Sequence, residues 1–153
     1  MTSLELHLWH LSNDAWTNLL GVFTSDGLAR LRRLCLYGRP CSGDDLYNLL
    51  SHTPALTSLL LCGLSQISSL SLFRQLPTLA VSLTQLTVDC TDSWRLTSAD
   101  LRSFLALPQL QTLRLLNWPK EEPVRLTAWD RALFEQRPCI VLPKLEVFEW
   151  TTR

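Results

Sequence analysis

Leu31-Arg32-Arg33-Leu34-Cys35-Leu36 is the stretch on which the reading of this chain turns. Its pattern, L-x-x-L-x-L, returns five more times in one phase. The matches are Met1-Thr2-Ser3-Leu4-Glu5-Leu6, Leu56-Thr57-Ser58-Leu59-Leu60-Leu61, Leu83-Thr84-Gln85-Leu86-Thr87-Val88, Leu110-Gln111-Thr112-Leu113-Arg114-Leu115 and Leu145-Glu146-Val147-Phe148-Glu149-Trp150. The first positions fall at 1, 31, 56, 83, 110 and 145, in steps of 30, 25, 27, 27 and 35. Recurrence at a near-constant spacing marks a stacked repeat in which each unit is one strand-bearing element. Within a match, the paired apolar residues at positions 4 and 6 lie on one face of a strand and the residue between them on the other.

The gaps between matches read as helices. Ser42 precedes Gly43-Asp44-Asp45, and Leu46, Leu49 and Leu50 follow at helical spacing. Thr97 stands three residues before Asp100, ahead of Leu101, Phe104 and Leu105, and Thr127 bears the same relation to Asp130. Such residues accept hydrogen bonds from the free N–H groups of a helix start and suit its positive end. Helices are also expected after Ser12, through Trp16, Leu19, Leu20 and Phe23, and over Ser65–Leu76, through Ile67, Leu70, Phe73 and Leu76. Pro54, Pro77, Pro108 and Pro143 come shortly before strand matches, and a helix is expected to have ended by each. The segment Asn117–Arg125, with two prolines and alternating charges, reads as an extended surface loop that lengthens the last step.

Residues 1–153 therefore read as a single α/β domain, in which strand–loop–helix units stack because none can bury its leucines alone. On these motifs the chain resembles the leucine-rich-repeat superfamily, and its long helix-bearing units are similar to the ribonuclease-inhibitor-like and F-box-associated classes. The resemblance implies a horseshoe solenoid of about six repeats, with a parallel sheet on the concave side and helices on the convex side. It implies a role in substrate recognition for an F-box-type ubiquitin ligase. The family carries Asn or Cys three residues after the last strand leucine; here those places hold Trp9, Arg39, Leu64, Thr91 and Trp118, so the repeats are irregular.

Composition agrees with a scaffold. Of 153 residues 36 are Leu, against 6 Val and 2 Ile, so one apolar slot is used again and again. Fourteen Lys and Arg balance fourteen Asp and Glu, which argues against a nucleic-acid or polybasic membrane binder. No apolar run has the length of a membrane helix, and the start lacks the plan of a secretory signal, so an intracellular protein is expected. Five scattered Cys without a C-x-x-C pair read as reduced thiols, and neither metal nor cofactor is expected.

Function is then expected in the outward strand residues. Glu5, His7, Arg33, Tyr37, Gln85, Asp89, Arg114 and Glu149 are the candidate partner-binding residues, with Arg33, Tyr37 and Arg114 as anchors. His7, Cys35, Cys62, Asp89 and Glu5 share this face, but an open strand surface does not converge a nucleophile, base and stabiliser, so no enzyme is expected. The chain reads as a non-enzymatic module that binds a protein of unknown identity. The alternative is a structural repeat segment without its own binding role. Terminal strands without polar caps, at Met1-Thr2-Ser3-Leu4 and Phe148–Trp150, point to end-to-end association or to a segment of a longer repeat protein.

Overall fold

The computed structural model describes residues 2–7, 18, 25–38, 43–63, 70–89, 103–104, 106–118 and 147–152. Six strands form one open, all-parallel sheet: β1 (Ser3–His7), β2 (Arg33–Tyr37), β3 (Ser58–Cys62), β4 (Gln85–Asp89), β5 (Thr112–Trp118) and β6 (Val147–Thr152). Spatial order follows chain order, so each connection leads to the adjacent strand. Three helices are described: α1 (Ser25–Ala29), α2 (Gly43–Ser51) and α3 (Leu70–Leu79).

The register repeats the hexapeptide pattern residue for residue. Leu4, Leu34, Leu59, Leu86 and Leu113 stand beside one another, as do Leu6, Leu36, Leu61, Val88 and Leu115. On β2 to β5 these side chains are at most 1% exposed, and so are Leu31, Leu56, Leu83 and Leu110 at the first position. Each buried leucine contributes roughly 1.5–3 kcal/mol relative to an exposed one. On β1, at the sheet edge, Leu4 and Leu6 are only half-buried.

Leu46, Leu49 and Leu50 of α2, Leu76 of α3, and Phe104 are likewise at most 1% exposed. The 46, 49, 50 spacing puts three leucines on one side of α2, while Tyr47, Asn48 and Ser51 face solvent. Helices α2 and α3 pack against each other. The end of α2 is closed by the Ser51 hydroxyl, which donates to the Asn48 carbonyl at 2.7 Å, and by the Thr53 hydroxyl, which donates to Leu50 at 3.0 Å. Those bonds add acceptor contacts to carbonyls of the last helical turn, where the Leu50 carbonyl also accepts from the Thr53 N–H at 3.1 Å.

A tight turn then leads into each of β2, β3, β4 and β5. The N–H groups of Leu31, Leu56, Leu83 and Leu110 donate to the carbonyls three residues back, at Leu28, Thr53, Ala80 and Leu107, over 2.9–3.4 Å. Pro54 and Pro108 occupy the second place of two of these turns, which suits their fixed φ. A hydrogen-bonded seam follows. The carbonyl of Arg32 accepts from the N–H groups of Thr57 and Ser58; that of Thr57 accepts from Thr84 and Gln85; that of Thr84 accepts from Gln111 and Thr112. The Thr57 and Thr84 hydroxyls add a bond each at 3.0 Å, to the carbonyls of Arg32 and Thr57.

Two expectations are corrected. Pro77 lies inside α3, which starts at Leu70 and runs on to Leu79. The helix persists because Leu76 and Ala80 are both buried, and the Ala80 N–H donates to the Leu76 carbonyl at 2.8 Å across the proline. Asn117 and Trp118 belong to β5 rather than to a loop. Leu115 pairs with Trp150 and Trp118 with Thr152, so Leu116 and Asn117 together oppose the single residue Thr151. This bulge is admitted by the left-handed backbone of Asn117, at φ 54°.

The expected helices over Trp16–Phe23 (Asn18 apart) and around Thr127–Leu133 lie outside the described residues, as do Trp9, Trp94, Pro143 and residues 119–125.

Candidate functional site

The face of the sheet turned away from the leucine layer carries positions 3, 5 and 7 of each unit. Position 3 presents Ser3, Arg33, Ser58, Gln85 and Thr112 in register, position 5 presents Glu5, Cys35, Leu60, Thr87 and Arg114, and position 7 starts with His7, Tyr37, Cys62 and Asp89. The strand period of two puts them there, because the alternate residues are committed to the core.

At the β1–β2 corner the candidates make one assembly. The His7 ring stacks on Tyr37, with centroids 4.8 Å apart and planes 8° from parallel. His7 Nε2 lies 3.0 Å from Glu5 Oε1, and both side chains are more than half exposed. Burial raises the Tyr37 phenol above its ordinary range, with Cys35, Glu5 and Cys62 acting in the same direction and Arg33 opposing them. Arg33 is exposed, and its hydrogen bond with Cys35, followed by the charge interaction with that thiol, raises its pKa further. Glu5 and Tyr37 add to that effect. Cys35 itself is 3% exposed, unlike its outward neighbours. It lies in the middle of β2, between Arg33 and Tyr37 along the strand and between Glu5 and Leu60 across it.

A second assembly centres on Asp89 at the end of β4. The Cys62 thiol donates to Oδ2 at 3.4 Å, and Asn117 Nδ2 donates to Oδ1 at 2.9 Å. One carboxylate thus ties together three strands, β3, β4 and β5. Gln85 and Arg114 are exposed on the same face. Glu149 is the register partner of Arg114 on β6.

Of the candidates, Glu5, His7, Arg33, Tyr37 and Asp89 fall in these two assemblies; Cys62, read as sharing the face, and Asn117, read as loop, join them. The signal for Asn117 is the place directly after position 7. It holds Gly38, Gly63 and Asn117, and all three have positive φ, at 87°, 67° and 54°. Gly and Asn enter that region at low cost, so this place ends β2 and β3 at Gly38 and Gly63 and forms the bulge within β5 at Asn117. The Gly38 N–H donates to the Cys62 carbonyl at 2.8 Å.

Among the described residues, no three His, Cys, Asp or Glu side chains are grouped to hold a metal ion, and no helix is long and apolar enough to cross a membrane. No family model, curated protein or solved structure matches the chain.

Proposed function

We propose that this chain is a non-catalytic protein-interaction module, built as a leucine-rich-repeat solenoid of about six units with its outward strand face lining the concave side of an arc. The observation that carries the proposal is the β1–β2 corner. A stacked His7–Tyr37 pair beside an exposed Arg33 sets aromatic and guanidinium groups side by side on a rigid strand base. Such groups supply most of the energy at protein interfaces. Strand-borne side chains are also held with little freedom left to lose on association. The mixture of charge, ring and hydroxyl across the face favours one shaped protein partner over a uniform polyanion.

In its most concrete form the module selects substrates for an F-box-type ubiquitin ligase; this form rests on the sequence resemblance alone. Affinity capture from native cells with the full-length gene product tests the reading. Partners are expected to be lost with Tyr37→Ala, and to be weakened with Arg33→Ala and Arg114→Ala, without change in the thermal unfolding midpoint. An unchanged partner set for all three variants overturns it. Co-capture of ubiquitin-ligase subunits tests the more concrete form separately.

A further inference from the structure

The segment Ala29-Arg30-Leu31-Arg32-Arg33 places three exposed arginines around one buried leucine, at the point where the chain enters β2. We propose that this arginine cluster receives the acidic end of a Glu- or Asp-rich peptide segment belonging to the protein partner, a proposal that rests on the face being an interaction surface.

Three observations carry it. First, the cluster has spare positive charge. Among the described residues none of these arginines has a carboxylate in ion-pair contact; the Glu5 carboxylate, which does bear on Arg33, lies 3.0 Å from His7. Asp26, four residues before Arg30, forms no ion pair with it. Second, the ground beside Arg33 is open. Its register partners on both neighbouring strands are serines, Ser3 and Ser58, short residues that leave the guanidinium unwalled and add hydroxyl donors. A guanidinium so placed presents paired N–H groups matched to a carboxylate.

Third, charge changes along the face. Position 3 has no acid from β1 to β5, whereas Glu5 and Asp89 lie further along the strands at positions 5 and 7. An acidic segment is therefore attracted to the strand starts and repelled beyond them. The partner segment carries its carboxylates at one end and neutral or aromatic residues where it crosses the His7–Tyr37 stack. A nucleic acid fits poorly. Its phosphates require a continuous basic track, and position 3 on β3, β4 and β5 supplies only Ser58, Gln85 and Thr112. Arg114 stands three strands from β2, about 14 Å away at ordinary strand spacing.

The test uses the full chain and fluorescein-labelled peptide pools with three fixed glutamates followed by four degenerate positions, read by anisotropy. The glutamate pool is expected to bind at low salt and to weaken at least tenfold in 0.5 M salt. It is expected to weaken at least tenfold with Arg32→Glu/Arg33→Glu and to stay within twofold with Gln75→Ala, at an exposed position of α3. Arg32→Ala/Arg33→Ala, checked for an unchanged melting curve, guards against misfolding of the charge-reversed variant. Equal binding of a glutamine-substituted pool overturns the proposal. So does binding confined to a phosphoserine-substituted pool, or tighter binding of a single-stranded RNA oligonucleotide. The two proposals fail separately. Loss of native partners with Tyr37→Ala and no binding of the glutamate pool leaves the interaction face standing and removes the charge assignment. Arginine-dependent binding of the pool with partners unaffected by Tyr37→Ala does the reverse.

Discussion

The two faces of the sheet are built from the same strands, yet they obey different rules. On the buried face, positions 4 and 6 of β2 to β5 hold seven Leu and one Val, all at most 1% exposed. On the other face, position 5 runs through Glu5, Cys35, Leu60, Thr87 and Arg114, with hardly a chemical type in common. Stacked units must present the same shape to their neighbours, and that need forces uniformity on the inner face. No such demand acts on the outer face, so its residues are free to match something outside the chain. Repetition thus marks what holds the fold, and departure from repetition marks where recognition is to be sought.

The largest expected effect breaks the inner face. Leu86→Ala removes a fully buried side chain between Leu59 and Leu113 and is expected to cost about 2–5 kcal/mol in chemical denaturation, whereas Gln85→Ala beside it costs roughly 0.5 kcal/mol or less. Leu6→Ala on the half-buried edge strand is expected to cost clearly less than Leu36→Ala at the same position of β2. Equal costs would show that the edge is covered in solution. Next come the turns: Gly38→Ala and Gly63→Ala force a Cβ into left-handed backbone and are expected to cost about 1–2 kcal/mol each, while Asn117→Gly is neutral or mildly stabilising if the Asp89 bond contributes little.

A smaller effect sits on the seam that belongs to neither face. Thr84→Val deletes the hydroxyl bond to the Thr57 carbonyl and is expected to cost about 1 kcal/mol, since that carbonyl keeps its two backbone donors. Smallest of all is the alkaline response of the outer face. The Tyr37 phenol is raised above its unfolded value near 10, so folding holds its proton more tightly. Its contribution is fully present below pH 10 and is lost as pH rises through the higher folded value. Tyr37→Phe is expected to flatten the stability profile above pH 10, and an unchanged profile would show that the phenol is equally free in both states.

Much of this was legible in the chain. The L-x-x-L-x-L pattern located all six strands, because a two-residue period with one buried face leaves no freedom of register. Leu46, Leu49 and Leu50 announced α2 by their spacing. The helix ends were less legible. Pro77 read as a stop, but a proline near the end of a helix forfeits a single hydrogen bond, and burial of Leu76 and Ala80 holds the segment helical. The bulge at Asn117 was also hidden, since it depends on how β5 meets β6 rather than on β5 alone.

The amino-acid sequence by itself determined the repeat, the parallel stacking of like with like, and the set of side chains that face outward. It could do so because those features follow from local periodicity and from the need of each unit to bury its leucines. Only the tertiary structure decided which outward groups act together. The stacking of His7 on Tyr37 joins residues 30 apart, the bonds of Cys62 and Asn117 to Asp89 join residues 27 and 28 apart, and the near-complete burial of Cys35 needs neighbours on both adjoining strands. Those contacts exist only once the strands lie side by side at about 4.8 Å, a proximity that no window along the chain contains.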